Sequence, residues 1–287
     1  MDDPSRARPL TGLSIPPGLD ATLVLVRHGE SELIAERRFQ GRLETPLSPL
    51  GRRQADLVAR RLADPHARPA LPIPARPPLA IVHSPLARAA ETAAAIAAAI
   101  EERSGSRDHS EGPGAVALRS DDRFVEIGQG DWEGRLASEI AETDGERLAA
   151  WRTRPTETWA PGGEPLTDVR ARVASGVIQL LADLAAGGTA GSILAPQVAG
   201  YRSESVDQPW LVLVGHDGVF KVTLLTLFDL PLERFWMWTS ELCGISIVEL
   251  RAGRPVVRAM NLVEHLAPLL DEATQATTDE RQRSGAL

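Results

Sequence analysis

The chain has 287 residues and a net charge of −8, from 31 lysines and arginines against 39 aspartates and glutamates. An acidic protein is a poor general binder of nucleic acid or of an anionic membrane surface, so any anion site has to be local and focused. The apolar fraction of 43% suffices for a sizeable core, and the length fits one large α/β domain or two small ones.

Residues 1–20, rich in Pro, Arg and Asp, read as a loose arm. Their opening Met1-Asp2-Asp3-Pro4 is acidic and unlike a signal peptide. No run approaches the ~18 apolar residues of a membrane span. The expectation is a soluble, cytoplasmic protein. The one cysteine, Cys243, cannot form an internal disulfide and reads as a buried structural thiol.

The main domain is read as 21–268. Residues 23–31, Leu-Val-Leu-Val-Arg-His-Gly-Glu-Ser, begin as a buried strand and stop at Arg27-His28-Gly29. A cation and an imidazole thus stand where the strand runs out, and a glycine lets the backbone turn away. In open α/β sheets ligands bind at that edge. The cation suggests an anionic ligand and the imidazole suggests chemistry. A helix follows over 48–63, with Ser48 as its cap. Six prolines exclude regular helix from 64–78. Residues 79–82 predict a strand, alanine-rich 86–102 a helix, 103–114 a loop insertion and 116–118 a short strand. Helices are expected over 135–153 and over 166–185, the latter capped by Thr167-Asp168.

Residues 187–209 read as a second, mobile insertion. Then Trp-Leu-Val-Leu-Val-Gly-His-Asp-Gly at 210–218 repeats the pattern of an apolar strand ending in a histidine. Two such strands lying side by side in a parallel sheet would bring His28 and His216 together. A helix near 218–228, strands at 244–250 and 255–260, and a polar tail over 269–287 complete the chain. Strands alternating with helices argue α/β: a mostly parallel central sheet with helices on both faces, one domain with loop insertions.

Arg27-His28-Gly29-Glu30 resembles the signature of the histidine phosphatase superfamily, which includes the phosphoglycerate mutases. Other motifs follow in that family's order: Gln40-Gly41, Thr45-Pro46-Leu47-Ser48 with Gly51, Ser84-Pro85-Leu86-Ala87-Arg88-Ala89 with Glu91-Thr92-Ala93, and Glu126-Ile127-Gly128-Gln129-Gly130-Asp131-Trp132-Glu133-Gly134. Pro161-Gly162-Gly163-Glu164 and Gly215-His216-Asp217-Gly218 close the set. The resemblance spans roughly 22–265 and implies a phosphoglycerate mutase-like fold.

It also implies a phosphohistidine mechanism. A neutral imidazole, with an unperturbed pKa of ~6.5, offers a lone pair to phosphorus, and His28 fills that role. Arg27 and Arg88 clamp the phosphoryl group, and His216 adds a donor in the same pocket. Glu126 is the acid candidate, with Glu133, Glu30 and Asp217 as competitors. Gly29, Ser31, Gln40, Gly41 and Asp217 are further expected phosphate or substrate contacts. Where the family often has an aromatic and then an asparagine that touches phosphate, this chain has Leu33 and Ile34, one phosphate donor fewer.

Mutases of the bisphosphoglycerate-dependent class carry an arginine directly after the acid glutamate and a tyrosine two residues on. Ile127 and Gln129 stand there, which favours the broad-specificity phosphatase branch. The alternatives are a mutase and an inactive phospho-ligand-binding scaffold. The 159–164 loop resembles one in relatives acting on sugar phosphates or phosphoglycerate conjugates, so a small phosphorylated substrate is expected. No Walker-type loop, paired His/Cys spacing or basic face with aromatics occurs, so no cofactor, metal or nucleic-acid partner is expected. His83 reads as structural, and His66, His109 and His265 as solvated or packing residues. The apolar stretch 235–248 is read either as core or as the contact of a homodimer.

Overall fold

The computed structural model describes residues 13–105, 116–188 and 208–269. In chain order the regular elements are β1 (Ala21–Arg27), α1 (Glu32–Ala35), α2 (Pro49–Ala63), β2 (Ala80–His83), α3 (Ala87–Gly105), β3 (Ala117–Ser120), α4 (Ala137–Thr143) and α5 (Gly145–Thr153). They continue with α6 (Leu166–Gly187), β4 (Trp210–Gly215), α7 (Asp217–Leu227), β5 (Ile245–Arg251) and β6 (Arg254–Leu262).

The six strands form one sheet in the order β3-β2-β4-β1-β5-β6. The first four in the chain run parallel, and β5 pairs antiparallel with both β1 and β6. Strand side chains alternate between faces. Leu23 and Leu25 therefore join Leu211, Leu213, Val248 and Leu250 on one side, packed with residues of α6 and α7. Val24 and Val26 join Val212, Val214, Ile245 and Ile247 on the other, packed with residues of α2 and α3. Burial on both faces explains why β1 and β4 read as continuous apolar runs rather than alternating ones.

Register places the site. Arg27 of β1 pairs with Gly215 of β4, and His83 of β2 pairs with Val214. The residues just beyond all three strands, His28, Ser84 and His216, thus meet at one carboxyl edge. Two backbone bonds continue the ladder there, from His28 N–H to the Gly215 carbonyl (2.9 Å) and from Ser84 N–H to the Val214 carbonyl (3.0 Å).

Ser48 caps α2 as expected, its Oγ accepting the Gly51 N–H at 3.0 Å, and Pro49 opens the helix. Several expectations need correction. The stretch 135–153 is two helices, because Asp144 leaves the helical region (φ −132°, ψ 22°) and turns its carboxylate to the Trp132 indole N–H at 2.8 Å. Thr167-Asp168 does not cap α6. Pro165 stands at its start with no side-chain cap, and the Thr167 hydroxyl donates to Asp168 Oδ1 at 3.3 Å. Helix α3 runs three residues beyond the expected 102. The described part of the arm is not loose: Leu13 and Ile15 pack on the core and Leu19 is buried. Leu269, assigned to the tail, is also buried. The short α1, capped by Ser31, was not expected. Residues 106–115, most of the 187–209 insertion, His109 and the tail from 270 lie outside the described residues.

The stretch 235–248 is largely core. Phe235, Cys243, Ile245, Ile247 and Val248 are fully buried, whereas Met237 is 52% exposed. Among the described residues no helix is long and apolar enough to cross a membrane.

Candidate active site

His28 is 2% exposed and His216 is fully buried. Their rings meet edge to face with centroids 5.0 Å apart. His28 Nδ1 lies 2.6 Å from the Gly29 carbonyl oxygen. A carbonyl can only accept, so Nδ1 carries the proton and Nε2 keeps its lone pair. Burial lowers the His28 pKa well below 6.5, and the charges of Arg88 and Arg27 lower it further. The imidazole is therefore neutral near pH 7 and presents a nucleophilic nitrogen.

Arg88 is fully buried at the start of α3. Its Nη1 and Nη2 donate to the carbonyls of Leu43 (3.0 Å) and Gly41 (2.8 Å). Burial lowers its pKa to about 10, which still leaves it charged near neutrality. Arg27 donates from Nη1 to the Ser240 carbonyl at 2.5 Å. Three buried nitrogens here lack a hydrogen-bond partner: Arg27 Nε, Arg88 Nε and His216 Nδ1. Orphans also occur at Arg170 and Arg251. What marks this edge is that three of them belong to His216, whose ring meets that of His28, and to the two arginines whose charges add to burial in lowering the His28 pKa. Unpaired buried donors are costly and are satisfied by a bound anion.

Glu126 retains some exposed surface, but its carboxyl is enclosed. Its oxygens accept the N–H groups of Ile127 (2.8 Å), Gly218 (3.3 Å) and Val219 (3.2 Å), so it is tied to the first turn of α7 beside His216. Gly218 makes room for both side chains: a Cβ there would lie 2.8 Å from Glu126 Oε1 and 2.7 Å from Ile127 Cδ1 and would push them aside. Burial raises the Glu126 pKa. The Ile127 N–H works against that, Asp217 adds to it, and Arg88 and Arg27 oppose it, with a net rise above 4.5. The competing acids are engaged elsewhere. Glu30 accepts from the Ser48 hydroxyl (2.8 Å), Glu133 from the N–H groups of Arg42 (2.9 Å) and Gln129 (2.8 Å), and Asp217 from Lys221.

The remaining expected contacts are joined to the framework of the site by hydrogen bonds. The Gly29 N–H donates to the Thr92 hydroxyl at 3.2 Å, and Thr92 donates to the Arg88 carbonyl at 2.8 Å, joining the two motifs. Ser31 Oγ donates to Gln40 Oε1 at 2.6 Å and accepts the Ile34 N–H at 3.3 Å, so both residues brace the 31–41 loop. Gly41 acts through its carbonyl on Arg88 and has a left-handed φ of +48°. Ile34 is buried. His83 gives its Nδ1 proton to the Ser84 carbonyl at 2.8 Å, a structural role.

Sequence reasoning missed Arg172 of α6. Its Nε and Nη2 bind Glu164 as a fork (2.9 and 2.8 Å), Nη1 binds the carbonyls of Arg123 (2.9 Å) and Val125 (2.6 Å), and Nη2 reaches the Glu126 carbonyl at 3.3 Å. Arg42 donates to the same Glu126 carbonyl at 3.1 Å and pairs with Glu164 at 2.7 Å. Two arginines therefore hold the backbone of the acid-bearing loop. Burial alone would raise the Glu164 pKa, but the Arg172 fork and Arg42 keep it below 4.5.

A neutral buried histidine under the influence of two arginines, with an enclosed carboxyl held at the first turn of α7, suits the handling of an anion at the carboxyl edge of an α/β sheet. Residues 23–263 match the family model of the histidine phosphatase superfamily (branch 1), and the chain belongs to that family. It is 27% identical to phosphoserine phosphatase 1 of Hydrogenobacter thermophilus over 88% of this chain and 98% of that one. It is 35% identical to the glucosyl-3-phosphoglycerate phosphatase of Mycobacterium tuberculosis over 74% of this chain and 78% of that one. The solved structure of mycobacterial glucosyl-3-phosphoglycerate phosphatase in complex with VO3 superposes with a TM-score of 0.61 at 29% identity, covering 84% of this chain and 99% of that one.

Proposed function

We propose that the chain is a cytoplasmic, metal-independent phosphomonoester hydrolase that works through a phosphohistidine on His28. The observation that carries this reading is the fixed tautomer of a neutral His28 beside the orphaned Nε donors of Arg27 and Arg88 and the unpartnered Nδ1 of His216. A phosphoryl group seated on those donors presents phosphorus to Nε2. As the N–P bond forms the ester P–O bond breaks, and the protonated Glu126 carboxyl gives its proton to the leaving alkoxide. The resulting carboxylate takes a proton from water. That water attacks phosphorus, the N–P bond breaks, and inorganic phosphate leaves. Arginines and histidines supply the positive charge throughout.

The substrate class we favour is a small phosphorylated metabolite of sugar phosphate or phosphoglycerate type. The name of the glucosyl-3-phosphoglycerate phosphatase relative and the 159–164 loop support it, while the phosphoserine phosphatase relative supports a small phosphorylated metabolite more broadly. The mutase alternative loses ground because Ile127 and Gln129, at the positions of the mutase arginine and tyrosine, are both buried. Two buried side chains offer no cation for a substrate carboxylate.

The test is phosphate release from a panel of phosphomonoesters, with metal chelated, by wild type and His28→Ala side by side. Turnover by wild type alone supports the hydrolase, and the ranking of esters begins to identify the substrate. Turnover that survives His28→Ala, or none on any ester, overturns it. Phosphoryl transfer between phosphoglycerate positions on adding a bisphosphate primer would favour the mutase.

A further inference from the structure

Helix α7 buries every one of its residues, yet it carries a lysine. Lys221 is 1% exposed, and its Nζ lies 2.5 Å from Oδ2 of Asp217, one turn earlier. The ammonium also sits 4.5 Å from the Trp236 ring centroid and 5.3 Å from that of Phe235, aromatic faces that favour a cation. A buried ion pair adds little stability over apolar side chains of the same shape. Its second oxygen gives the pair a use. Asp217 Oδ1 accepts the Ser240 N–H at 2.9 Å, and the Ser240 carbonyl accepts Arg27 Nη1 at 2.5 Å. The same crossing is anchored again where the Cys243 N–H meets the carbonyls of Arg27 (3.1 Å) and His28 (3.3 Å).

We propose that Asp217, neutralised by Lys221, is a positioning residue that aims the Arg27 guanidinium at the phosphoryl group through the backbone of Ser240. It reassigns Asp217 from a substrate contact to a support, and it rests on the phosphoryl-transfer reading above. A bare carboxylate one residue from His216 would repel a phosphate. Lys221, paired with Oδ2, offsets that charge in part and leaves Oδ1 to accept from Ser240. The pair therefore lets an acidic side chain orient an anion site with less opposition to the anion.

The experiment compares two double variants that both remove the buried charges. Asp217→Asn/Lys221→Met keeps an oxygen to accept the Ser240 N–H, and Asp217→Leu/Lys221→Met has the same bulk without it. Melting curves and vanadate titrations accompany kcat and KM on an aryl phosphate. The Asn variant is expected within about threefold of wild type. The Leu variant is expected to lose about 10–100-fold in kcat/KM and in vanadate affinity, the scale of a misplaced binding group. In an Arg27→Lys background the same Asn-to-Leu exchange should change vanadate affinity by less than about threefold, because the group being aimed is gone. A merely structural role would cost the same in both backgrounds. Equal behaviour of the two double variants, or an unchanged cost in the Arg27→Lys background, overturns the proposal. If the Leu variant does not fold, Asp217→Ala/Lys221→Met replaces it in the same comparison. A wild type that neither turns over nor binds vanadate overturns the phosphoryl-transfer reading, and this proposal with it. An active wild type with equal variants overturns the positioning role alone.

Discussion

At the scale of residues, the site is a set of titrations held apart. Burial and two arginines keep His28 neutral, while burial keeps Glu126 protonated to higher pH than a free carboxyl. In the proposed mechanism the nucleophile needs the neutral form and the acid needs the protonated form. The acid limb of kcat/KM is therefore expected below pH 6.5, with activity kept at pH 6, and the alkaline limb is set by Glu126. Glu126→Gln should cost about 10²–10⁴-fold on an alkyl phosphate. The loss should be far smaller on a nitrophenyl phosphate, whose leaving group needs no proton. Equal losses on both esters would remove Glu126 as the acid. His28, His216, Arg27 and Arg88 were legible because each ends or follows an apolar strand in a recognisable motif. The hydrogen-bond partners of Ser31, Gln40 and Asp217 were not. A motif marks a residue, and only the fold brings up the distant groups that its side chain meets.

At the scale of elements, close backbone approach and one arginine fork hold the catalytic segments in place. A Cβ on Gly51 would lie 1.9 Å from the Glu30 carbonyl oxygen, because the start of α2 presses on the chain after His28. Gly51→Ala is expected to destabilise by about 1–3 kcal/mol, as overpacking does, with a matching fall in melting temperature. Arg172→Met strips partners from three loop carbonyls and from Glu164. A loss of about 2–3 kcal/mol is expected, read by denaturant unfolding, together with a drop in kcat as the Glu126 loop loosens. Unchanged stability would show that Arg42 alone holds that loop. Ser48 and helix α2 were legible, since a cap followed by proline and periodic apolar residues is a local signal. Arg172 was illegible because an arginine on a long helix reads as a solvated face. Its partners come from a loop distant in sequence. Lys221 left a fainter mark: a lone cation within an apolar helix, one turn after an acid.

At the scale of the whole molecule, two strands with matching histidines implied their own parallel pairing, and the Arg27–Gly215 register carries it out. The order of the outer strands was not legible, because apolar strands of similar length do not specify their neighbours. The placement of two buried neutral histidines at this edge also has a global consequence. Their pKa values are lowered in the folded state, so the unfolded chain binds more protons below its own histidine pKa of about 6.5. Their stabilising contribution is complete above about pH 6.5 and declines as the pH falls below it. Melting temperature is expected to fall between pH 7 and pH 5, and less steeply in a His28→Ala/His216→Ala variant. A flat profile in wild type would contradict the buried neutral state.

The measurement closest to the central claim is a rapid acid-free quench during turnover, followed by peptide mass spectrometry for the phosphoryl adduct. An acid-labile, base-stable phosphate is expected on His28, forming within one turnover, decaying with water and absent from His28→Ala. A phosphate found on another side chain, or turnover with no enzyme-bound phosphate at any time, would contradict that claim.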